Sequence, residues 1–377
     1  MNPLNPASIE VFAYRVPIKT PLKVAFGTFR DRPLVLLRIV DADGTEGWGE
    51  VWCNWPAVGA EHRARLAADI GERLLRRSFA TPGEAFRALT SDLEVLVLQT
   101  GESGPVAQAI AGIDIALWDL GARKQGIPLY RFLGGGPTES VAVYTTGINP
   151  DQPERFAKAR YDEGHRAFKL KIGFGSEIDL KNLAALRAAL GPATALMADA
   201  NQAFTLDSAI EFSRAAARFD LQWVEEPLRV DARAADWRAL AAASPIPLAG
   251  GENFQDAQFD EAVRDGVLHV IQPDATKWGG MSGNMPVARA ALAAGKRYCP
   301  HVFGGGIAHL ASLHLLAAAG GDGLLEFDCH PNAGRELIVG ASLPVHEGRV
   351  PVPQGSGLGV TPDLAVLDRY RTWPARH

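Results

Sequence analysis

Four short runs decide how this chain reads: Ala167-Phe-Lys-Leu-Lys171, Ala195-Leu-Met-Ala-Asp199, Gln222-Trp-Val-Glu225 and Pro247-Leu-Ala-Gly-Gly-Glu252. Each is largely apolar and each ends in a charged side chain. The spacing is 26 residues from Asp199 to Glu225 and 27 from Glu225 to Glu252. That is room for one strand, one helix and two short turns. An acid at the same end of successive parallel strands sets carboxylates side by side on one rim. Clustered carboxylates repel and take up protons unless a cation neutralises them. An all-oxygen set suits a hard divalent ion, Mg²⁺ first. Asp199, Glu225 and Glu252 are therefore the candidate metal ligands. Any one of them alone reads better as a helix N-cap or a surface acid; the trio in register carries the argument. Glu226 is expected on the opposite face of its strand.

Working outward, the same rhythm continues. Candidate strands end near Thr146, Lys171, Asp199, Glu225, Glu252, Gln272, His301 and Phe327, with helical stretches such as 180–190, 206–218 and 286–294 between them. Eight strands alternating with helices match a parallel barrel better than an open sheet. Before them, Ile9-Glu-Val-Phe-Ala-Tyr-Arg-Val16 alternates, and Leu34-Val-Leu-Leu-Arg-Ile-Val40 is a dense apolar run. Asp43-Gly44 signals a hairpin into Thr45-Glu-Gly-Trp-Gly-Glu50. Helical patterns over 61–77, 81–98 and 105–124 follow. The expected organisation is an α+β cap over 1–130, an α/β barrel over 131–336, and a tail over 337–377.

The chain has 377 residues, 47% of them hydrophobic, a net charge of −5 and a pI near 6.0. This supports a large core and argues against a nucleic-acid partner. No apolar run approaches about 18 residues, so no membrane span is expected. Cys53, Cys299 and Cys329 are scattered, with no CxxC spacing, and the start lacks a signal-peptide pattern; a cytoplasmic protein with reduced thiols is expected.

In such barrels the active site lies at the C-terminal rim of the strands. Lys169 and Lys171 are two apart, so they share a face. Two ammonium groups that close lower each other's pKa towards the range of a base. Lys171, nearer the rim, is the expected base and Lys169 its modulator. Asp274 and His301 end neighbouring strands, and a carboxylate beside an imidazole fixes its tautomer and raises its basicity. Glu326 can hydrogen-bond a substrate oxygen, with Asp328, two residues on, as its competitor. His309 and His314 read as core. Trp52 and Trp55 read equally as pocket lining or as packing; as lining they would, with Asn54, offer a stacking wall and a polar contact. The polar stretch from Thr20 to Arg32 reads as a loop whose Lys23, Arg30, Asp31 and Arg32 could meet polyols or a second carboxylate. Gly304-Gly-Gly306 reads as a flexible turn rather than a phosphate cradle.

Lys169-Leu-Lys171, Asp199-Ala-Asn201, Trp223-Val-Glu-Glu-Pro227, Gly251-Glu-Asn253, Pro273-Asp-Ala-Thr-Lys-Trp-Gly-Gly280, Pro300-His301 and Leu325-Glu-Phe-Asp328 together resemble the mandelate racemase subgroup of the enolase superfamily. Gly112-Ile-Asp-Ile-Ala-Leu-Trp-Asp119 resembles its segment before the barrel. The resemblance covers nearly the whole chain. It implies a modified TIM barrel, (β/α)₇β, under an N-terminal α+β capping domain, with the tail rejoining the cap. It implies Mg²⁺ on Asp199, Glu225 and Glu252, and Lys171, tuned by Lys169, as base on one face of the substrate. His301, paired with Asp274, would act on the other face, with Glu326 on an ene-diolate oxygen and Asn201 near metal and substrate. Lys277 receives no catalytic role. The expected activity is α-proton abstraction from a small-molecule carboxylate, with an acid-sugar dehydratase favoured over a racemase, epimerase or cycloisomerase. A non-catalytic ligand-binding homologue is the reading from another class. Family habit implies a homo-oligomer.

Overall fold

The structure is a computed structural model describing residues 3–340 and 343–374. The chain opens with an antiparallel meander, β1 (Pro6–Val24), β2 (Gly27–Asp41) and β3 (Glu46–Val51). Helices Gly59–Glu72, Pro82–Thr100 and Ser103–Lys124 cover one face of it, burying Val35, Leu37, Ile39, Ala64 and Leu117. The second helix shows why it starts where it does. Thr81 accepts a hydrogen bond from the Glu84 N–H at 3.1 Å, and Pro82 occupies the first turn, where no N–H is needed.

The Thr20–Arg32 stretch is not a loop. β1 and β2 run on as a twisted hairpin to a two-residue turn at Ala25-Phe26, with Leu22 opposite Phe29 and Val24 opposite Gly27. Its polar composition reflects only one face of the ribbon.

The barrel strands are β4 (Ser140–Ile148), β5 (Ala167–Lys171), β6 (Ala195–Asp199), β7 (Leu221–Glu225), β8 (Leu248–Gly250), β9 (Val270–Ile271), β10 (Arg297–Tyr298) and β11 (Leu325–Asp328). They are parallel, in the order β10-β9-β8-β7-β6-β5-β4-β11. Seven helices fill the gaps: Pro153–Asp162, Ser176–Leu190, Leu206–Ala216, Ala234–Ala243, Ala257–Arg264, Gly280–Ala293 and Gly306–Ala319. This is a (β/α)₇β barrel beneath a capping domain. Between β10 and β11 the seam is bridged by the Val302 N–H donating to Glu326 Oε2 at 3.1 Å and the Leu324 N–H to Cys299 Sγ at 3.3 Å. In the tail, β12 (Arg349–Pro351) pairs with β4, and β13 (Arg371–Trp373) pairs with β1 in the cap sheet.

Strand β5 shows the local logic. All five residues are buried. Phe168 and Leu170 pack outward with Leu183 and Leu186 of the next helix, so alternation turns Lys169 and Lys171 into the barrel. His309 and His314 are buried in the Gly306–Ala319 helix, where burial lowers the His314 pKa to about 4. They are core residues.

Gly304-Gly-Gly306 has a specific task. Glu50, at the end of β3, reaches the N-terminus of the Gly306–Ala319 helix and accepts N–H bonds from Gly305 at 2.5 Å and Ala308 at 2.9 Å. A Cβ on Gly304 would lie 2.6 Å from Glu50 Oε1. The anion at this helix terminus is therefore the cap's own carboxylate.

Burial lifts the Glu50 pKa to about 7, against the backbone donors that favour the charged form. A folded pKa above the unfolded one means a stabilising contribution that is complete below about pH 4.5 and lost as pH rises through about 7. The stability difference between wild type and Glu50→Gln, from urea unfolding, should therefore shift against wild type between pH 5 and 8, by on the order of 3 kcal/mol.

Candidate active site

The barrel register places the candidate residues. Lys171 lies opposite Asp199, and Asp199 opposite Glu225, across β5, β6 and β7. Glu252 follows β8 by two residues; Asp274 and His301 each follow their strands, β9 and β10, by three. Lys169 and Glu326 sit within their strands rather than at the ends, one layer deeper in the barrel.

The side chains form one chain of charge. Lys169 Nζ lies 2.5 Å from Glu225 Oε1, 2.9 Å from Glu326 Oε1 and 3.4 Å from Asp199 Oδ2. Lys171 Nζ lies 2.5 Å from Asp199 Oδ2. His301 bonds Asp274 Oδ2 through Nδ1 at 2.7 Å, and Glu252 Oε2 through Nε2 at 2.5 Å. Thr276 holds Asp274 Oδ1 by its hydroxyl at 2.6 Å and its N–H at 2.8 Å. The Asp274–His301 pairing orients the ring and fixes its tautomer.

The lysine expectation is corrected. Burial does oppose the ammonium of Lys171, and Lys169 adds to that, yet Asp199, Glu225 and Glu326 outweigh both and raise its pKa. Lys169 is raised well above its ordinary value, with Glu225 and Glu326 overcoming burial. The mutual repulsion of two lysines is real, but they stand among acids that sequence spacing alone cannot place so close. His301 is likewise raised, Glu252 and Glu326 prevailing over burial. Asp199 is held at about 2: burial opposes this, but Lys171 and Lys169 prevail. Glu225 is pushed up to about 7, first by burial.

Asp199, Glu225 and Glu252 are oxygen donors on neighbouring rim positions, but each is turned towards a cation. Among the described residues, no three His, Cys, Asp or Glu side chains converge on one point as placed. Two other observations bear on whether these groups suit Mg²⁺. Six carboxyl groups (Asp199, Glu225, Glu226, Glu252, Asp274 and Glu326) share the mouth with four bases, Lys169, Lys171, Lys277 and His301. Fully ionised, they leave an excess of two negative charges, matching one divalent ion. Buried Asn201 Oδ1 also has no hydrogen-bond partner, although Asn201 lines the cavity. The donor set fits a hard divalent cation.

That cavity, of about 430 Å³, lies between barrel and cap. Lys171, Glu252, His301 and Glu326 line its floor; Trp52, Asn54 and Trp55 reach it from the cap. The Asn54 side-chain amide donates one N–H to Phe303 O at 2.7 Å, which orients it and leaves its oxygen and second N–H for a ligand.

Glu226 lines the cavity too, instead of facing away. Its φ of 38° takes the chain out of the pleat just where β7 ends. Gln202 and Asn253 hold its carboxylate at 2.9–3.1 Å. Lys277 is also in the wall, 3.2 Å from Glu252 and 4.9 Å from the Trp52 ring centroid. Gln272, which donates to Glu225 Oε2 at 2.7 Å, and Trp223, at 3.2 Å, were not singled out from sequence. Both carry a readable signal: Trp223 is two before Glu225 on the same strand face, and Gln272 closes an apolar run at the same rim.

The proposed contact of Arg32 with substrate does not hold. Arg32 is buried and bonded to Asp328 at 2.7 Å, its guanidinium 4.4 Å from the Phe303 ring centroid. Lys23 pairs with Asp151 at 2.6 Å, and Asp31 lies 3.6 Å from Arg15. Lys23 and Arg30 are exposed on the outer face of the hairpin.

Residues 7–134 match the mandelate racemase/muconate lactonizing enzyme N-terminal domain, and residues 152–366 match the enolase C-terminal domain-like family. The chain belongs to the mandelate racemase/muconate lactonizing enzyme family of the enolase superfamily. It is 34% identical to the D-galactarolactone cycloisomerase of Agrobacterium fabrum, over 94% of this chain and 95% of that one. A mandelate racemase/muconate lactonizing enzyme structure from Bordetella bronchiseptica RB50 is 48% identical, with a TM-score of 0.92, covering 98% of this chain and 100% of its own. A structure of an L-talarate/galactarate dehydratase variant, 27% identical with a TM-score of 0.84 over 97% of this chain and 91% of its own, was crystallised with magnesium and L-glucarate. Family members thus act as cycloisomerases and dehydratases, and a neighbour binds magnesium with a small carboxylate.

Arg32→Leu, which leaves Asp328 buried with only the more distant Arg335, should cost about 3–5 kcal/mol in urea unfolding. Lys23→Ala and Arg30→Ala should each leave both stability and kcat/KM within about twofold of wild type.

Proposed function

We propose that this protein abstracts the α-proton of a small carboxylate with Mg²⁺ as cofactor, and that the overall reaction is dehydration of a sugar-derived hydroxy acid. The observation that carries this reading is the placement of two proton carriers, Lys171 on β5 and His301 after β10, on different sides of one cavity. Asp199, Glu225 and Glu252 would hold the ion, with Asn201 beside it. When bound, Mg²⁺ neutralises the substrate carboxylate and the charge that builds on it as the proton leaves.

The protein's own groups do the rest. Lys171, parted from Asp199 and having given its ammonium proton to solvent, takes the α-proton as a neutral amine, and Lys169 fixes the local charge from below. The resulting ene-diolate has Glu326 within reach as hydrogen-bonding partner. His301, held by Asp274, protonates the departing β-hydroxyl, so that the oxygen leaves as water. Return of a proton to the α-carbon from the His301 side would instead give racemisation or epimerisation, whereas the likeness to a cycloisomerase favours a ring bond as the one that breaks or forms in place of loss of water. We place the reaction in the cytoplasm, on the unpaired thiols of Cys53, Cys299 and Cys329, and expect a homo-oligomer as in the family.

In D₂O with Mg²⁺, substrates should exchange the α-proton, and formation of a 2-keto acid marks dehydration. Lys171→Ala should reduce exchange by about 10²–10⁴-fold. His301→Asn should preserve exchange while reducing keto-acid formation by a similar factor. A double variant turning over at the wild-type rate would contradict the assignment.

Asp274→Asn tests the dyad separately. It should lower keto-acid formation by about 10²–10⁴-fold by releasing the imidazole tautomer, with the thermal midpoint shifting by only a few degrees.

A further inference from the structure

The two halves of the cavity differ in chemistry. Every charged side chain that lines it comes from the barrel: Lys171, Glu226, Glu252, Lys277, His301 and Glu326. The hairpin and the neighbouring aromatics contribute Leu22, Val24, Phe26, Phe29, Trp55 and Phe303.

The pleat explains the division. Leu22 pairs with Phe29 and Val24 with Gly27, so these residues share the inward face, while Lys23 and its partner Thr28 share the outward one. Phe29 packs on Trp55 and Phe303, with ring centroids 4.7 and 5.2 Å apart. Gly27 lets the indole close in: a Cβ there would lie 2.8 Å from the Trp55 ring. Phe26, at the hairpin tip, is 64% exposed and yet lines the cavity, its ring 5.8 Å from that of Trp55. Two nearby cations that could reverse this polarity are both engaged, Arg32 by Asp328 at 2.7 Å and Lys277, beside the Trp52 ring, by Glu252 at 3.2 Å.

We infer that the substrate is a monocarboxylate whose far end is uncharged and presents C–H or aromatic faces to this wall. A ring-closed sugar acid and an aryl hydroxy acid share that chemistry. An open-chain diacid does not: its second carboxylate would lose water against an aromatic wall whose hairpin side carries no charge and whose neighbouring lysine, Lys277, is already held by Glu252 at 3.2 Å. The inference rests on the proton-abstraction reading, and it assigns the distal group rather than the reacting end.

The test compares α-proton exchange in D₂O, by proton NMR, for the Mg²⁺-loaded full-length protein. The panel holds ring-closed sugar monoacids, aryl 2-hydroxy acids and open-chain sugar diacids. Exchange in one of the first two classes should exceed that of the diacids by about 100-fold or more in kcat/KM, and the class that leads identifies the distal group. Phe26→Arg, at an exposed tip where folding is not at stake, should narrow that ratio about tenfold by supplying a cation. Diacids exchanging as fast as or faster than the monoacids in wild type would overturn the inference and leave the proton-abstraction reading standing. An unchanged ratio in Phe26→Arg, with an unchanged thermal midpoint, would also overturn it. Absence of exchange across the whole panel would overturn the proton-abstraction reading, and the inference with it.

Discussion

The structure depends on a crowd of like charges held at the mouth of the barrel. Register alone brings Asp199 and Glu225 together, and the loops after β8 and β9 add Glu252 and Asp274. Carboxylates this buried are tolerable only when something positive stands beside each one. Lys169 bridges three of them, and His301 joins two more. The groups that would move protons are thus the groups that keep the acids ionised. The shortfall falls on Glu225 and Glu226, pushed by burial to about 7 and about 8. A divalent ion is the chemistry that would relieve it and free Lys171 and His301 from their partners.

The cap answers a different constraint. A charged mouth open to water would have its electrostatics screened, so it needs a dry lid. The β1–β2 hairpin and the Trp52–Trp55 segment supply one. Glu50 ties the lid to the barrel by bonding the helix that follows His301, so the His301 loop and its roof share an anchor. The tail strengthens the connection, giving one strand to each domain.

Much of this was legible because parallel strands have a fixed polarity. An acid closing each apolar run must lie on one rim, which is why Asp199, Glu225, Lys171 and His301 stand together in the fold. What failed to show in the sequence has three physical causes. Glu226 turns inward because of a left-handed φ that alternation cannot predict. The hairpin through Phe26 was hidden because its exposed face is polar, so Lys23 and Arg30 read as a loop when they are the outer side of a ribbon. Arg32 and Lys277 depend on tertiary partners, Asp328 and Glu252, that lie 296 and 25 residues away. The same holds for Gly304-Gly-Gly306, whose purpose appears only once Glu50 docks against it.

Calorimetric titration of the purified protein with MgCl₂ tests the central claim most directly. Wild type should bind one Mg²⁺ per chain, with binding lost in Asp199→Asn, Glu225→Gln and Glu252→Gln while each variant keeps its far-ultraviolet circular dichroism. Mg²⁺ binding that survives all three replacements, or a wild-type protein that binds none, would contradict it.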